Sequence, residues 1–241
     1  MVKQKLDILA IGVHPDDIEL GCGGTVLKHI DLGYKVGILD LTQGELGTRG
    51  SGPLRLEEAE NARKYAGALV RENLGFADGF FINDKAHKLE IIKMIRKYQP
   101  DIVLSNAIKD RHPDHGNASK MIGEACFLSG LLKIETEIDG EVQERWRPRK
   151  VYNYIQDYHI DPDFVVDVTE QFERKMEMVL CFKSQFYDPE TGGVQTPISS
   201  KEFFDSLRGR ALAHGRRIGV KYAEGFTSHA YIGVEDITTL L

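Results

Sequence analysis

Cysteine is scarce in this chain of 241 residues, with three in all. Cys22, Cys126 and Cys181 are widely spaced and odd in number, and they form no C-x-x-C motif, so a disulfide framework is excluded. A reducing cytoplasm is the expected setting. Long apolar runs are also missing. Nothing is long enough to span a membrane, and Met1-Val2-Lys3-Gln4-Lys5 leads into the first strand without a signal-peptide core, so no membrane partner is expected. Positive charge is short: the formal net charge is -6 and no Lys/Arg block stands out, which argues against nucleic acid as a partner. There is no internal repeat, low-complexity tract or convincing linker. What remains is 41% hydrophobic and 28% charged, an ordinary soluble composition with material for a sizeable core. One domain over residues 1–241 is the expectation.

The informative stretch comes early. Asp7-Ile8-Leu9-Ala10-Ile11-Gly12-Val13 has the length and composition of a buried parallel strand. It runs into His14-Pro15-Asp16-Asp17, a polar cluster that no core would want, at the strand end where open α/β sheets bind ligands. Asp16 or Asp17 could simply cap a helix starting near Ile18. A second cluster, Arg111-His112-Pro113-Asp114-His115, weakens that reading, because it too follows a strand-like run, Asp101-Ile102-Val103-Leu104-Ser105. The two look like halves of one site.

Between and beyond them, apolar spacing predicts helices over residues 25–32, 55–69, 89–98, 118–132, 170–182 and 202–215, with strands over 34–41, 70–75, 150–155 and 164–168. Asp139-Gly140 signals a turn in a polar stretch, and residues 187–196 read as a loop. The alternation predicts an α/β fold, a Rossmann-like three-layer sandwich with a mostly parallel sheet. A loop rich in glycine, 44–52, falls at the same sheet edge as His14, with Glu45, Thr48 and Arg49 able to face a ligand. Arg55 in the first turn of the next helix opposes the helix dipole, which suggests an anion to bind.

His14, one carboxylate of Asp16 or Asp17 and one of His112 or His115 make a two-His, one-carboxylate metal set with open positions. The spare Asp is then a general base and the spare His a donor to a developing oxyanion, with Asp114 orienting one histidine. This is the inventory of metal-assisted amide hydrolysis, and spacing alone leaves the ligands open. Gly21-Cys22-Gly23-Gly24 is not G-x-G-x-x-G, and the adjacent carboxylates would repel a pyrophosphate, so a nucleotide-binding protein is disfavoured.

The motif His14-Pro15-Asp16-Asp17, the following Gly23-Gly24-Thr25, the loop 44–50 with Arg55, His112-Pro113-Asp114-His115 and the stretch Gly219-Val220-Lys221-Tyr222-Ala223-Glu224 resemble the PIG-L/LmbE-like zinc deacetylases. The resemblance implies His14, Asp17 and His115 as ligands of one Zn2+ ion, with Fe2+ as an alternative. It implies Asp16 as the general base, and His112, supported by Asp114, as oxyanion donor and acid for the departing amine. Glu45, Arg49 and Arg55 are expected at the substrate. Within the family, loop 44–50 and Lys221-Tyr222-Ala223-Glu224 look most like the bacillithiol-pathway enzymes, which deacetylate N-acetylglucosaminyl-malate. Other N-acetylglucosamine derivatives and thiol conjugates are the rival substrates, and a homo-oligomer is left open. Asp110 is a departure: relatives acting in mycothiol synthesis resemble this chain but carry tyrosine there.

Overall fold

A computed structural model describes residues 4–186 and 194–241 of the chain. Its centre is a seven-stranded sheet in the order β3-β2-β1-β4-β7-β9-β8. The strands are β1 (Ile8–Gly12), β2 (Val36–Thr42), β3 (Val70–Phe76), β4 (Ile102–Ser105), β7 (Lys150–Tyr154), β8 (Phe164–Asp167) and β9 (Ala223–Ser228). The first five in spatial order are parallel, and β9 lies antiparallel between β7 and β8. A separate hairpin, β5 (Glu137–Ile138) and β6 (Glu141–Val142), turns at Asp139-Gly140, where both residues adopt positive φ, 54° and 77°. The expected α/β sandwich is what forms. Most of the expected loop at 187–196 lies outside the described residues.

Among the described residues six α-helices cover the sheet: α1 (Asp17–Asp31), α2 (Gly52–Ala66), α3 (Lys85–Tyr98), α4 (Pro113–Leu128), α5 (Phe172–Val179) and α6 (Lys201–Arg217). Side chains alternate across β1, so its two faces serve two cores. Leu9 and Ile11 pack with Ile91, Ile95, Met121 and Ile122 of α3 and α4. Ile8 and Ala10 pack with Ile18, Cys22 and Val26 of α1, together with Tyr154 and Phe226. From β1 the chain winds outward through β2 and β3, then returns to add β4 on the other side. The carboxyl ends of β1 and β4 therefore border a topological switch point, the crevice where such sheets bind ligands.

The two helices that follow the His-Pro-Asp segments begin earlier than apolar spacing suggests, by eight residues in α1 and five in α4. Helix α1 starts at Asp17, not near residue 25, because its glycines serve close packing and not a turn. A Cβ at Gly21 would run into the Tyr154 ring, and one at Gly24 would come within 2.9 Å of Val168. Helix α4 starts at Pro113, with His112 as its N-cap. Proline suits the first helical position because its missing N–H would go unpaired there anyway. Asp114 and His115 thus stand on the first turn of a helix.

Candidate active site

His14, Asp16 and Asp17 sit on the turn from β1 to α1, and His112, Asp114 and His115 on the turn from β4 to α4. Adjacent parallel strands bring the two His-Pro-Asp segments together. The His14 and His112 rings meet edge to face with centroids 4.6 Å apart, and His112 stacks on His115 at 5.2 Å. They line a cleft of about 310 Å³ together with Arg49, Arg55, Gln156 and residues 196–198.

Asp17 is the anchor of the group. Its Oδ2 accepts the backbone N–H groups of Val13 and His14 and the Asn106 amide, each at 3.0 Å, and its Oδ1 accepts Gln156 Nε2 at 2.5 Å. Burial alone would raise its pKa, yet His115 and His14 hold the carboxyl well below the usual range. Each of these histidines turns one ring nitrogen to Asp17 and the other to a different carboxylate. His14 Nδ1 lies 3.6 Å from Asp17 Oδ2 and Nε2 lies 2.9 Å from Asp78 Oδ1. His115 Nε2 lies 3.2 Å from Asp17 Oδ1 and Nδ1 lies 2.6 Å from Asp110 Oδ2. Burial lowers both histidine pKa values, but the carboxylates outweigh it and lift His14 to about 9 and His115 to about 10. The cluster calls for positive charge.

These donors fit a metal ion. His115 Nε2 is buried and has no hydrogen-bond partner among the described residues. Two atoms bound to one tetrahedral metal at about 2.0–2.1 Å lie about 3.3 Å apart, and the two histidines approach that spacing from different oxygens of one carboxylate, His115 at 3.2 Å from Asp17 Oδ1 and His14 at 3.6 Å from Oδ2. A carboxylate on the far nitrogen of a histidine is the usual support for a ligating ring. Two other groupings share His14: His14, His112 and His115 bring one ligand atom each within 4.8 Å of one another, and so do His14, Asp78 and Asp114, these two carboxylates lying on the Nε2 side of the His14 ring, away from Asp17.

Asp16 points elsewhere. Its backbone holds φ 134°, a region that side-chain-bearing residues seldom occupy, and its carboxylate faces Arg55 while that of Asp17 faces the histidines. Arg55 Nη2 meets Asp16 Oδ2 at 3.0 Å and the Pro15 carbonyl at 2.7 Å, while Nη1 reaches the Gly44 carbonyl at 3.3 Å. The guanidinium lies so close over Gly44, itself at φ 63°, that any Cβ there would overlap it. Burial raises the Asp16 pKa to about 7 despite the pull of Arg55.

The expected substrate contacts divide. Arg49 is half-buried in the cleft wall, with its guanidinium on the Phe186 carbonyl at 3.5 Å and no ion-pair partner among the described residues. Arg55 lines the cleft, but both its Nη atoms are engaged by the protein. Glu45 turns to the Asp78 N–H at 2.9 Å, and the next residue, Leu46, donates its N–H to Asp78 Oδ2 at 3.0 Å. Asp114 supports His112 through its backbone, its N–H donating to Nδ1 at 3.3 Å, while its carboxylate accepts the Gly79 N–H at 2.8 Å. Sequence reasoning passed over Asp78 and Gln156. The available signal was their position, each just past the carboxyl end of a strand, β3 and β7.

The PIG-L family (GlcNAc-PI de-N-acetylase) matches residues 9–126, the span that carries both His-Pro-Asp segments. The diacetylchitobiose deacetylase of Thermococcus kodakarensis is 31% identical over 230 residues, covering 90% of this chain and 81% of that protein. Among solved structures, the conserved protein TT1542 from Thermus thermophilus superposes with a TM-score of 0.84 at 32% identity, over 95% of this chain and 98% of that one. The N,N'-diacetylchitobiose deacetylase from Pyrococcus horikoshii, in complex with its inhibitor MPG, gives a TM-score of 0.77 at 27% identity, over 91% and 82%. The chain belongs to the PIG-L family and is a metal-dependent N-deacetylase. No helix among the described residues is long and apolar enough to cross a membrane.

Proposed function

We propose that this enzyme removes the acetyl group from an N-acetylglucosamine unit of a small conjugate, with His14, Asp17 and His115 holding one zinc ion. The observation that carries this reading is the buried Nε2 of His115, 3.2 Å from Asp17 Oδ1 and without a hydrogen bond among the described residues, next to a second carboxylate, Asp16, that faces Arg55 instead. The metal would polarise the amide carbonyl and make a water acidic enough to be deprotonated near neutral pH. Asp16 takes that proton. Its pKa near 7 suits a base working at neutral pH, and Arg55 holds its carboxylate in place.

His112 serves the oxyanion. Its Nδ1 accepts the Asp114 N–H, so in the neutral ring Nε2 carries the hydrogen and can donate it to the carbonyl oxygen as charge develops there. Burial and the neighbouring histidines lower the His112 pKa, which favours that neutral form. As the C–N bond breaks, His112 protonates the departing nitrogen, the proton that Asp16 collected restores the ring, and the second proton of the water passes to the amine, so acetate and the ammonium form of the amine leave.

For the aglycone we propose malate, with conversion of N-acetylglucosaminyl-malate to glucosaminyl-malate in bacillithiol synthesis. A half-buried Arg49 in the cleft wall, with no ion-pair partner among the described residues, suits a conjugate that carries carboxylates. A second reading, N,N'-diacetylchitobiose, draws on the activity in the name of the Thermococcus relative. Amine release from the malate conjugate, from diacetylchitobiose and from N-acetylglucosamine separates the two, with metal-stripped and zinc-restored protein side by side. Zinc-dependent release that is fastest on the malate conjugate is the expected result. Preference for chitobiose overturns the aglycone, and release independent of metal from every substrate overturns the mechanism.

A further inference from the structure

The position two residues before the first histidine of the second motif carries Asp110, whose side chain is 0% exposed. Such a carboxylate must be matched with donors, and all of its matches lead to one place. Oδ2 lies 2.6 Å from His115 Nδ1. Oδ1 accepts the backbone N–H groups of Asp157 at 3.0 Å and Tyr158 at 2.8 Å. Both residues belong to the loop that leaves β7. The preceding Gln156 reaches Asp17 Oδ1 at 2.5 Å, and Asp157 pairs with Arg111 at 2.6 Å. Three successive loop residues, 156–158, are thereby tied to the two segments that hold His115 and Asp17.

We infer that Asp110 is the positioning residue of His115. It takes the Nδ1 hydrogen, so the lone pair stays on Nε2, facing Asp17, and its second oxygen latches the loop after β7 to the same histidine. The inference rests on the reading of His115 as a metal ligand. Only a carboxylate serves all three donors here. A tyrosine hydroxyl at this position has a single oxygen and cannot span from the ring to the loop.

Asp110→Asn tests this because the amide keeps one acceptor and replaces the other with a donor. With its oxygen on the loop N–H groups, its NH2 faces His115 Nδ1 and favours the opposite tautomer. The measurements are Zn2+ affinity by competition with a chromogenic chelator, the 15N shifts of the His115 ring as metal-free protein is titrated to a pH at which that ring is neutral, and hydrogen exchange at residues 157 and 158. In the parent, Nε2 should be the unprotonated nitrogen of the neutral ring. In Asp110→Asn, that assignment should move to Nδ1 and Zn2+ affinity should fall by about 10- to 100-fold, while the two loop amides stay protected. Asp110→Ala should lose both zinc affinity and loop protection. Zinc affinity within about twofold of the parent in Asp110→Asn, or weakened affinity with the ring tautomer unchanged, overturns the inference. A parent that binds no Zn2+ would count against the ligand reading instead, and the ring shifts would still test the tautomer.

Discussion

Two buried polar clusters flank the first half of α1, and they are built on opposite plans. In one, Glu224 of β9 accepts from Gly24 N–H (3.0 Å), Thr25 N–H (2.7 Å), Thr25 Oγ1 (2.7 Å) and Lys175 Nζ (2.5 Å). Lys175 spends another hydrogen on the Leu20 carbonyl at 3.0 Å. This is structural repair. Cys22 leaves the helical region with φ -141°, the helix kinks, and the amides just past the kink lose their helical partners. Glu224 replaces those partners, much as a capping side chain does for the start of a helix. The other cluster, around Asp17, has carboxylates in excess, two histidines with raised pKa values and a buried ring nitrogen that makes no hydrogen bond among the described residues. A buried network that is fully satisfied rigidifies a fold, whereas one left open has room for a ligand.

The contrast should be sharpest at Asp16. Replacing it with Asn removes the proposed base and keeps an oxygen for Arg55. Activity should fall by about 10²- to 10⁴-fold, with bound metal unchanged and a melting midpoint close to the parent's. Activity above about a tenth of the parent's, measured as amine release on zinc-loaded protein, would remove Asp16 from the base's role. The reverse pattern belongs to the closed cluster. Glu224→Ala strands a buried lysine and two helix amides, and denaturant unfolding should show a loss of about 3–5 kcal/mol. Zinc affinity of the folded protein should hold, and Glu224→Gln should cost less. Loss of zinc affinity in folded Glu224→Ala would break the distinction between the clusters.

Much of this was legible in the chain, and the illegible parts share a cause. The two His-Pro-Asp segments could be paired from their order and from the strands before them, because a strand's carboxyl end is a fixed place in a parallel sheet. The partners that orient them could not. Asp78 follows Phe76-Ala77 with no motif around it, and its bond to His14 depends on β3 lying two strands from β1. Asp110 stood out as a departure from tyrosine, but its bond to His115 needs the first turn of α4, which begins five residues earlier than the apolar spacing suggests. Gln156 reaches Asp17 only because β7 joins the sheet beside β4. Arg55 shows the converse. Its place in the chain pointed to an anion, and the anion it meets is Asp16 of its own protein. Glycines mislead for a similar reason, since Gly21 and Gly24 look like a turn until Tyr154 and Val168 are packed against them.

The smallest expected effect tests the edge of the open cluster. Arg49 is half-buried and lines the cleft, and its only side-chain hydrogen bond among the described residues is the long one to the Phe186 carbonyl. If the aglycone carries a carboxylate, Arg49 gains a stronger partner when substrate is bound, and Arg49→Ala should then raise KM for the malate conjugate by about 10-fold, the worth of one hydrogen bond to a charged group. N-acetylglucosamine lacks that carboxylate and should change by less than about twofold, and kcat should hold for both, because the contact is the same in the ground and transition states. An equal rise in KM for both substrates would place Arg49 at the sugar. No change in either would leave it bracing the wall through Phe186 and Gln185, which donates to the Arg49 carbonyl at 2.7 Å, and the open cluster would end at the metal ligands, Asp16 and His112.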